Sequence, residues 1–256
     1  MSTEVQIERR EVNERSFVIA TLSSSNGVNA LSSETVASLR RTVHDMGAEG
    51  GGHALILRAE GRCFSAGADV KEFRGFSADD FRQSMRNIAD LFLEMLECPR
   101  PIVSVVHADA IGGGAAVAFC SDYIIAAETA KFSLPEVHRG LAGLGYLLPR
   151  LIGRHRAGEM TLLGRSFAAS RMHEWGLVNE VCAGSELDER DHALRAELAV
   201  IAGSGFEVAK RSLSCGMQMP LREGVQAHID AQAAAFERFR QGGPASGGGA
   251  APQLVS

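Results

Sequence analysis

Two stretches of small residues could do chemistry with the backbone alone: Ser65-Ala66-Gly67-Ala68-Asp69 and Gly112-Gly113-Gly114-Ala115. Each follows an apolar run that reads as a strand and precedes a segment that reads as a helix. The first N–H groups of a helix have no partners within it, and glycine lets a ligand come close to them. Two such donors from separate loops would make an oxyanion hole, aimed at charge developing on an oxygen. Glycines of this kind also serve close packing of a helix on a strand. Other signatures are missing: there is no G-x-S-x-G, no H-E-x-x-H, no Walker A sequence, and no G-x-G-x-x-G after a strand. Nucleotide and metal chemistry lose support accordingly.

The elements that must position these loops alternate. The opening VQIERREVNERSFVIATLS reads as a hairpin turning near Asn13 and Glu14. Ser32 or Ser33 offers an N-cap to a helix with Val36, Leu39, Val43 and Met46 at helical spacing, which gives a first β-β-α unit. A strand in HALILRAE then leads to the first small-residue loop. A helix over FRQSMRNIADLFLEMLE stops at Pro99 and Pro101, and a strand in PIVSVVHAD leads to the second loop. DYIIAAE reads as a further strand. From about residue 154 the text is mainly helical: RAGEMTLLG, ASRMHEWG, ELDERDHALRAELAVIAG and LREGVQAHIDAQAAAFERFRQ. Strands alternating with helices place the chain in the α/β class.

Composition narrows the function. With 256 residues, 45% hydrophobic and 22% charged, the chain can bury a sizeable core, and its 28 glycines and 7 prolines show no collagen-like or disordered bias. A net charge of -5 is the wrong sign for a partner of nucleic acid. Lys71, Lys131 and Lys210 are the only lysines, so few ammonium sites exist. Five scattered cysteines without C-x-x-C or zinc spacing read as reduced thiols of a cytoplasmic protein. The polar first residues and the lack of a long apolar run predict a soluble chain with no membrane partner.

In this order, GRCFSAGADVKEF, RPIVSVVHADAIGGGAAVAFCSDYIIAAETAKFSLPE, LPRLIG and ASRMHEWGLVNEV, with Asn29-Ala30-Leu31 before them, resemble the crotonase family of enoyl-CoA hydratases and isomerases. The resemblance covers the chain to about residue 240. It implies a spiral of β-β-α units over 1–190 and a helical region over 191–241 that trimerises; the Gly/Ala/Ser/Pro text over 242–256 has no periodicity and reads as a disordered tail. It implies acyl thioesters of coenzyme A as substrates, no separate cofactor or metal, and a homotrimer or dimer of trimers. The family's oxyanion donors fall on the backbone N–H groups of Ala68 and Gly113. Substrate contacts fall on Ala30, Ala66, Asp69, Val70, Lys71, Gly112, Pro135 and Leu144, with Lys71 meeting the CoA phosphates and Arg74 a further candidate for them. Leu194, Leu198 and Ile201 lie at helical spacing in the region the family uses for trimer contacts.

The family's hydratases act on water with two glutamates. The second matches Glu136 in Leu134-Pro135-Glu136, but the first matches Ala116, and a methyl group can neither take nor give a proton. The family's monofunctional isomerases keep only the second glutamate, which lifts a proton from C2 and returns it at C4. That pattern fits best. The dienoyl-CoA isomerases add an aspartate where Leu144 stands, so that branch is disfavoured. His138, two residues beyond Glu136, would share its face if the segment were extended. Two departures bear on the substrate: the text between Gly140 and Gly153 is shorter than is usual, and the tail begins where the family's last helix, which completes the adenine site, should lie. An acyl group carried on a carrier protein is therefore an alternative to CoA. Hydration, thioester decarboxylation or dehydration on such a carrier, and non-catalytic acyl-CoA binding are the competing readings.

Overall fold

The computed structural model describes residues 3–48, 50–201 and 203–240. Strand β1 (Glu4–Val12) pairs antiparallel with β2 (Arg15–Ser23) in unbroken register, from Glu4 opposite Ser23 to Val12 opposite Arg15. Asn13 and Glu14 form the turn at φ +47° and +62°, the left-handed pair that matches the twist of a hairpin. Helix α1 (Ser33–Gly47) starts where Ser32 Oγ accepts the Thr35 N–H at 3.1 Å, and it buries Val36, Leu39, Val43 and Met46 as its spacing requires.

Strand β3 (Leu55–Ala59) follows, then a 3-10 turn (Glu72–Gly75) and helix α2 (Ala78–Glu97). A capping box of Ser77 and Asp80 opens α2, three residues ahead of the start expected from its apolar spacing. After β4 (Ile102–Val106), buried throughout, come β5 (Ala110–Ile111), α3 (Gly113–Phe119), β6 (Tyr123–Ala127) and β7 (Lys131–Ser133). A second 3-10 turn (Pro135–Arg139) leads to α4 (Leu148–Ile152), α5 (Arg154–Thr161), β8 (Ser166–Ala168), α6 (Ala169–Glu174) and β9 (Glu180–Cys182). Helices α7 (Leu187–Ala199), α8 (Gly203–Gln218) and α9 (Leu221–Arg240) complete the described chain.

The main sheet has the order β1-β2-β3-β4-β6-β9 and is parallel beyond the hairpin. A second layer runs across its strand ends. Leu31 bridges Ala68, Ser65 bridges Ala110, β5 pairs with β7, and β7 pairs with β8. Each turn of the chain thus lays one strand in the large sheet and a short segment in the second layer before a helix, 3-10 in the last case. The result is a spiral, and successive turns set the two small-residue loops side by side. Helix α3 runs through the interior. Gly114 to Phe119 are all buried, and the small side chains of its first turns let backbone pass between layers.

Several sequence expectations change. The first loop enters a 3-10 turn rather than an α-helix, so only Gly113 lies at the start of an α-helix. Helix α8 was not anticipated. Its Lys210 is buried and holds Asp122 at 2.7 Å, tying the helical region to the strand ends of the core. Leu194 and Leu198 pack against this chain's own core, whereas Ile201 lies beyond the end of α7 and is exposed. The tail over 242–256 lies outside the described residues. Among the described residues no helix is long and apolar enough to cross a membrane.

Candidate active site

The two loops meet because glycine permits it. Gly67 has φ +80°, and a Cβ there would stand 2.7 Å from the Ile111 carbonyl and 2.8 Å from the Gly113 nitrogen. A Cβ on Gly113 would lie 3.5 Å from the Ala68 nitrogen. Around these donors the backbone is committed: Leu31 N–H donates to Gly67 O at 2.8 Å, Asp69 N–H to Leu31 O at 3.1 Å, and Gly112 N–H to Ser133 O at 2.8 Å. Among the described residues, the N–H groups of Ala68 and Gly113 have no acceptor. Two free donors therefore face one space.

Glu136 enters from the next turn of the spiral. Strand β7 pairs with β5 and brings Leu134-Pro135-Glu136 alongside Gly112, and proline starts the 3-10 turn that carries the glutamate. The carboxylate nestles between two glycines. A Cβ on Gly112, itself at φ +55°, would stand 2.7 Å from Oε1, and one on Gly143 would stand 2.7 Å from both oxygens. Its Oε2 is buried with no hydrogen-bond partner among the described residues. Burial pushes the Glu136 pKa up, opposed by a hydrogen bond from its own backbone and by the Arg139 charge. A desolvated, unsatisfied carboxylate is a stronger base than one in water.

Both features open on a cavity of about 490 Å³. Ala66, Ala68, Val70, Gly112, Gly113, Pro135, Glu136 and Leu144 all line it, as does Ala116, which brings a methyl and no carboxylate. Ala30, Asp69 and Lys71 do not line it. Asp69 Oδ1 accepts the Lys71 N–H at 3.0 Å and shapes the loop, while the Lys71 and Arg74 side chains are exposed beside it. His138 is not brought to Glu136. The segment is 3-10 and not extended, so residues two apart point differently, and the imidazole lies against Gly164, where a Cβ would meet Nε2 at 2.6 Å.

Spacing alone did not reveal the opposite wall. Phe81, Met85, Ile88, Ala89 and Phe92 form one face of α2 and line the cavity, joined by Phe73, Leu134, Leu141 and Tyr146. Their helical period was legible in the sequence, but it reads equally as a core-facing stripe. Leu144 sits at φ +50°, a strained conformation for a branched side chain, held where it closes the cavity near Gly143.

Two free N–H donors and one desolvated carboxylate over an apolar cavity can remove a proton beside a carbonyl and hold the resulting enolate. This is the class of site the geometry defines. The family model for enoyl-CoA hydratase/isomerase matches residues 13–245. The chain is 30% identical over 233 residues to mevalonyl-coenzyme A hydratase sidH of Aspergillus fumigatus, covering 88% of this chain and 86% of that one. It is 34% identical over 190 residues to the (7aS)-7a-methyl-1,5-dioxo-2,3,5,6,7,7a-hexahydro-1H-indene-carboxyl-CoA hydrolase of Mycobacterium tuberculosis, covering 73% and 76%. The crystal structure of enoyl-CoA hydratase from Bacillus anthracis superposes with a TM-score of 0.82 at 26% identity, covering 93% and 96%. The chain belongs to the enoyl-CoA hydratase/isomerase family and has the crotonase fold.

Proposed function

We propose that the protein moves the double bond of a 3-enoyl thioester to the 2-enoyl position. The thioester carbonyl accepts from Ala68 N–H and Gly113 N–H, which makes the C2 proton acidic. Glu136 takes that proton while charge passes to the carbonyl oxygen, and the dienolate is held there by both donors. The neutral acid then returns the proton to C4 as the carbonyl re-forms. The observation that carries this reading is that Glu136 is the one carboxylate among the described residues lining the cavity, with Ala116 beside it. One group that gives back the proton it takes suffices for isomerisation, whereas hydration needs a base for water and an acid for C2.

The largely apolar lining, in which Arg139 is the one cation among the described residues, suits an acyl group. It is carried on CoA or on a carrier protein, and no cofactor enters the proposed steps. We further infer a homotrimer or dimer of trimers, and a cytoplasmic location in keeping with five unpaired cysteines. A second reading, addition of water, is favoured by the relative named a hydratase, which aligns with most of the chain. Glu136 would then serve as both base and acid. A panel of 3-enoyl, 2-enoyl and malonyl-type thioesters, each on CoA and on a carrier protein, decides among them. Fast conversion of the 3-enoyl substrate with slow hydration of crotonyl-CoA supports isomerisation; fast hydration by the unmodified protein overturns it.

A further inference from the structure

We propose that Ser65 is the positioning residue of the oxyanion hole, its hydroxyl setting where the Ala68 N–H points relative to the Gly113 N–H. The residue is fully buried, at 0% exposure, and it takes no part in the proton transfers described above. Its Oγ donates to the Asn29 carbonyl at 2.7 Å and accepts the Gly67 N–H at 3.2 Å. Its own carbonyl accepts the Ile111 N–H at 2.9 Å. Gly114 makes room for it: a Cβ there would stand 2.5 Å from the Ser65 carbonyl oxygen and 2.8 Å from Oγ. One residue therefore touches the segment before α1, the loop of the first donor, and the loop and helix of the second.

The anchor that Ser65 grips is itself fixed. Asn29 has φ +50° and is fully buried. Its Nδ2 donates to the carbonyls of Glu60 at 2.7 Å and Cys63 at 2.9 Å, and its Oδ1 accepts from Ser24 Oγ at 2.8 Å. The Ser65 hydroxyl passes this rigidity to Gly67, the residue next to the donor. Gly67 has no side chain to restrain it. Without the hydroxyl, the buried Gly67 N–H and Asn29 carbonyl lose these partners, and the peptide that carries the Ala68 N–H is held only by the bond from Leu31 N–H to Gly67 O, so its donor shifts. A donor misplaced by an ångström costs up to about 10²-fold in rate.

The inference rests on the oxyanion hole of the proposed function but not on which reaction follows, and the test separates the two. Octanoyl-CoA labelled with carbon-13 at the thioester carbonyl is saturated and stays unreacted when bound, so its infrared carbonyl stretch reports hydrogen bonding directly. In the unmodified protein the stretch falls below its value in water. In Ser65→Ala it moves back toward that value, with Ser65→Cys in between. In Ser65→Ala, kcat falls about 10- to 100-fold while KM and the octanoyl-CoA dissociation constant stay within about threefold. An unchanged stretch in Ser65→Ala overturns the proposal, whatever the rate does. If the alanine variant does not fold, Ser65→Cys decides by the same frequency. An unshifted stretch in the unmodified protein overturns the hole and this proposal together, whereas a shifted stretch without isomerisation overturns only the proposed reaction.

Discussion

Glu136 keeps its basicity at a cost to the fold. Burial raises its pKa above the ordinary 4.5, so folding favours the protonated form. Its contribution to stability is fully present below the ordinary value and is lost as pH rises through the raised one. Glu136→Gln removes that dependence, so the variant gains denaturant resistance over the unmodified protein at pH 8 but not at pH 4, as urea midpoints at the two pH values will show. The same substitution removes the proposed base, so the proposed isomerisation of a 3-enoyl thioester is expected to fall about 10²–10⁴-fold with binding little changed. In the unmodified enzyme the acid limb of the kcat/KM profile lies above the usual carboxylate range, because the carboxylate must be ionised to act. Ala116 supplies the complementary test. Its methyl lines the same cavity, so Ala116→Glu adds the missing partner, and hydration of crotonyl-CoA rises. A variant that binds acyl-CoA yet hydrates no faster removes the absent carboxylate as the explanation for slow hydration.

At the scale of elements, α2 supplies a wall of the cavity. Its capping box fixes where the helix starts, and from that start Phe81, Met85, Ile88, Ala89 and Phe92 fall on the cavity side. Ala89 is the small residue in this wall. Ala89→Phe fills the space it leaves, so acyl chains that reach it lose buried area while short ones do not. Each methylene kept in water forfeits about 0.8 kcal/mol, so excluding two lowers the kcat/KM ratio of eight-carbon over four-carbon substrates by about tenfold. An unchanged ratio would mean that the acyl chain runs elsewhere. Two glycines do comparable work from the other side, since Gly112 and Gly143 leave no room for a Cβ beside the Glu136 carboxylate.

For the whole molecule, the helical region carries exposed apolar surface that the core does not use. Leu221, Val225 and Ile229 follow one another a turn apart on α9, Phe236 lies beyond them, and Leu213 on α8 is two-thirds exposed. Such a stripe is costly in water, and we propose it as the association surface of the trimer. The proposed trimer predicts a light-scattering mass of three or six chains at micromolar concentration, and a single-chain mass would sink it.

The sequence by itself determined the local pieces: the Asn13-Glu14 hairpin turn, a serine cap at Ser32 or Ser33 and the buried stripe of α1, and the break before Pro99. It also singled out two small-residue loops that could present bare backbone N–H groups. These depend on residues near one another in the chain, where spacing and turn chemistry act directly, whereas the match of Ala116 to a glutamate that would partner Glu136 came from the family resemblance. Only the tertiary structure decided what those pieces face. His138 follows Glu136 closely in sequence yet packs on Gly164, because the segment coils as a 3-10 turn. Ala30, Asp69 and Lys71 belong to loops that reach the site but do not line the cavity. The α2 stripe lines the cavity as well as packing on the core, where Phe92 is buried and Ile88 rests against it, because the spiral brings Glu136 and its glycines to the same cavity. Ser65 became a joint between three segments because successive turns stack in the second layer, and the distances between turns are set by packing, which no local spacing encodes.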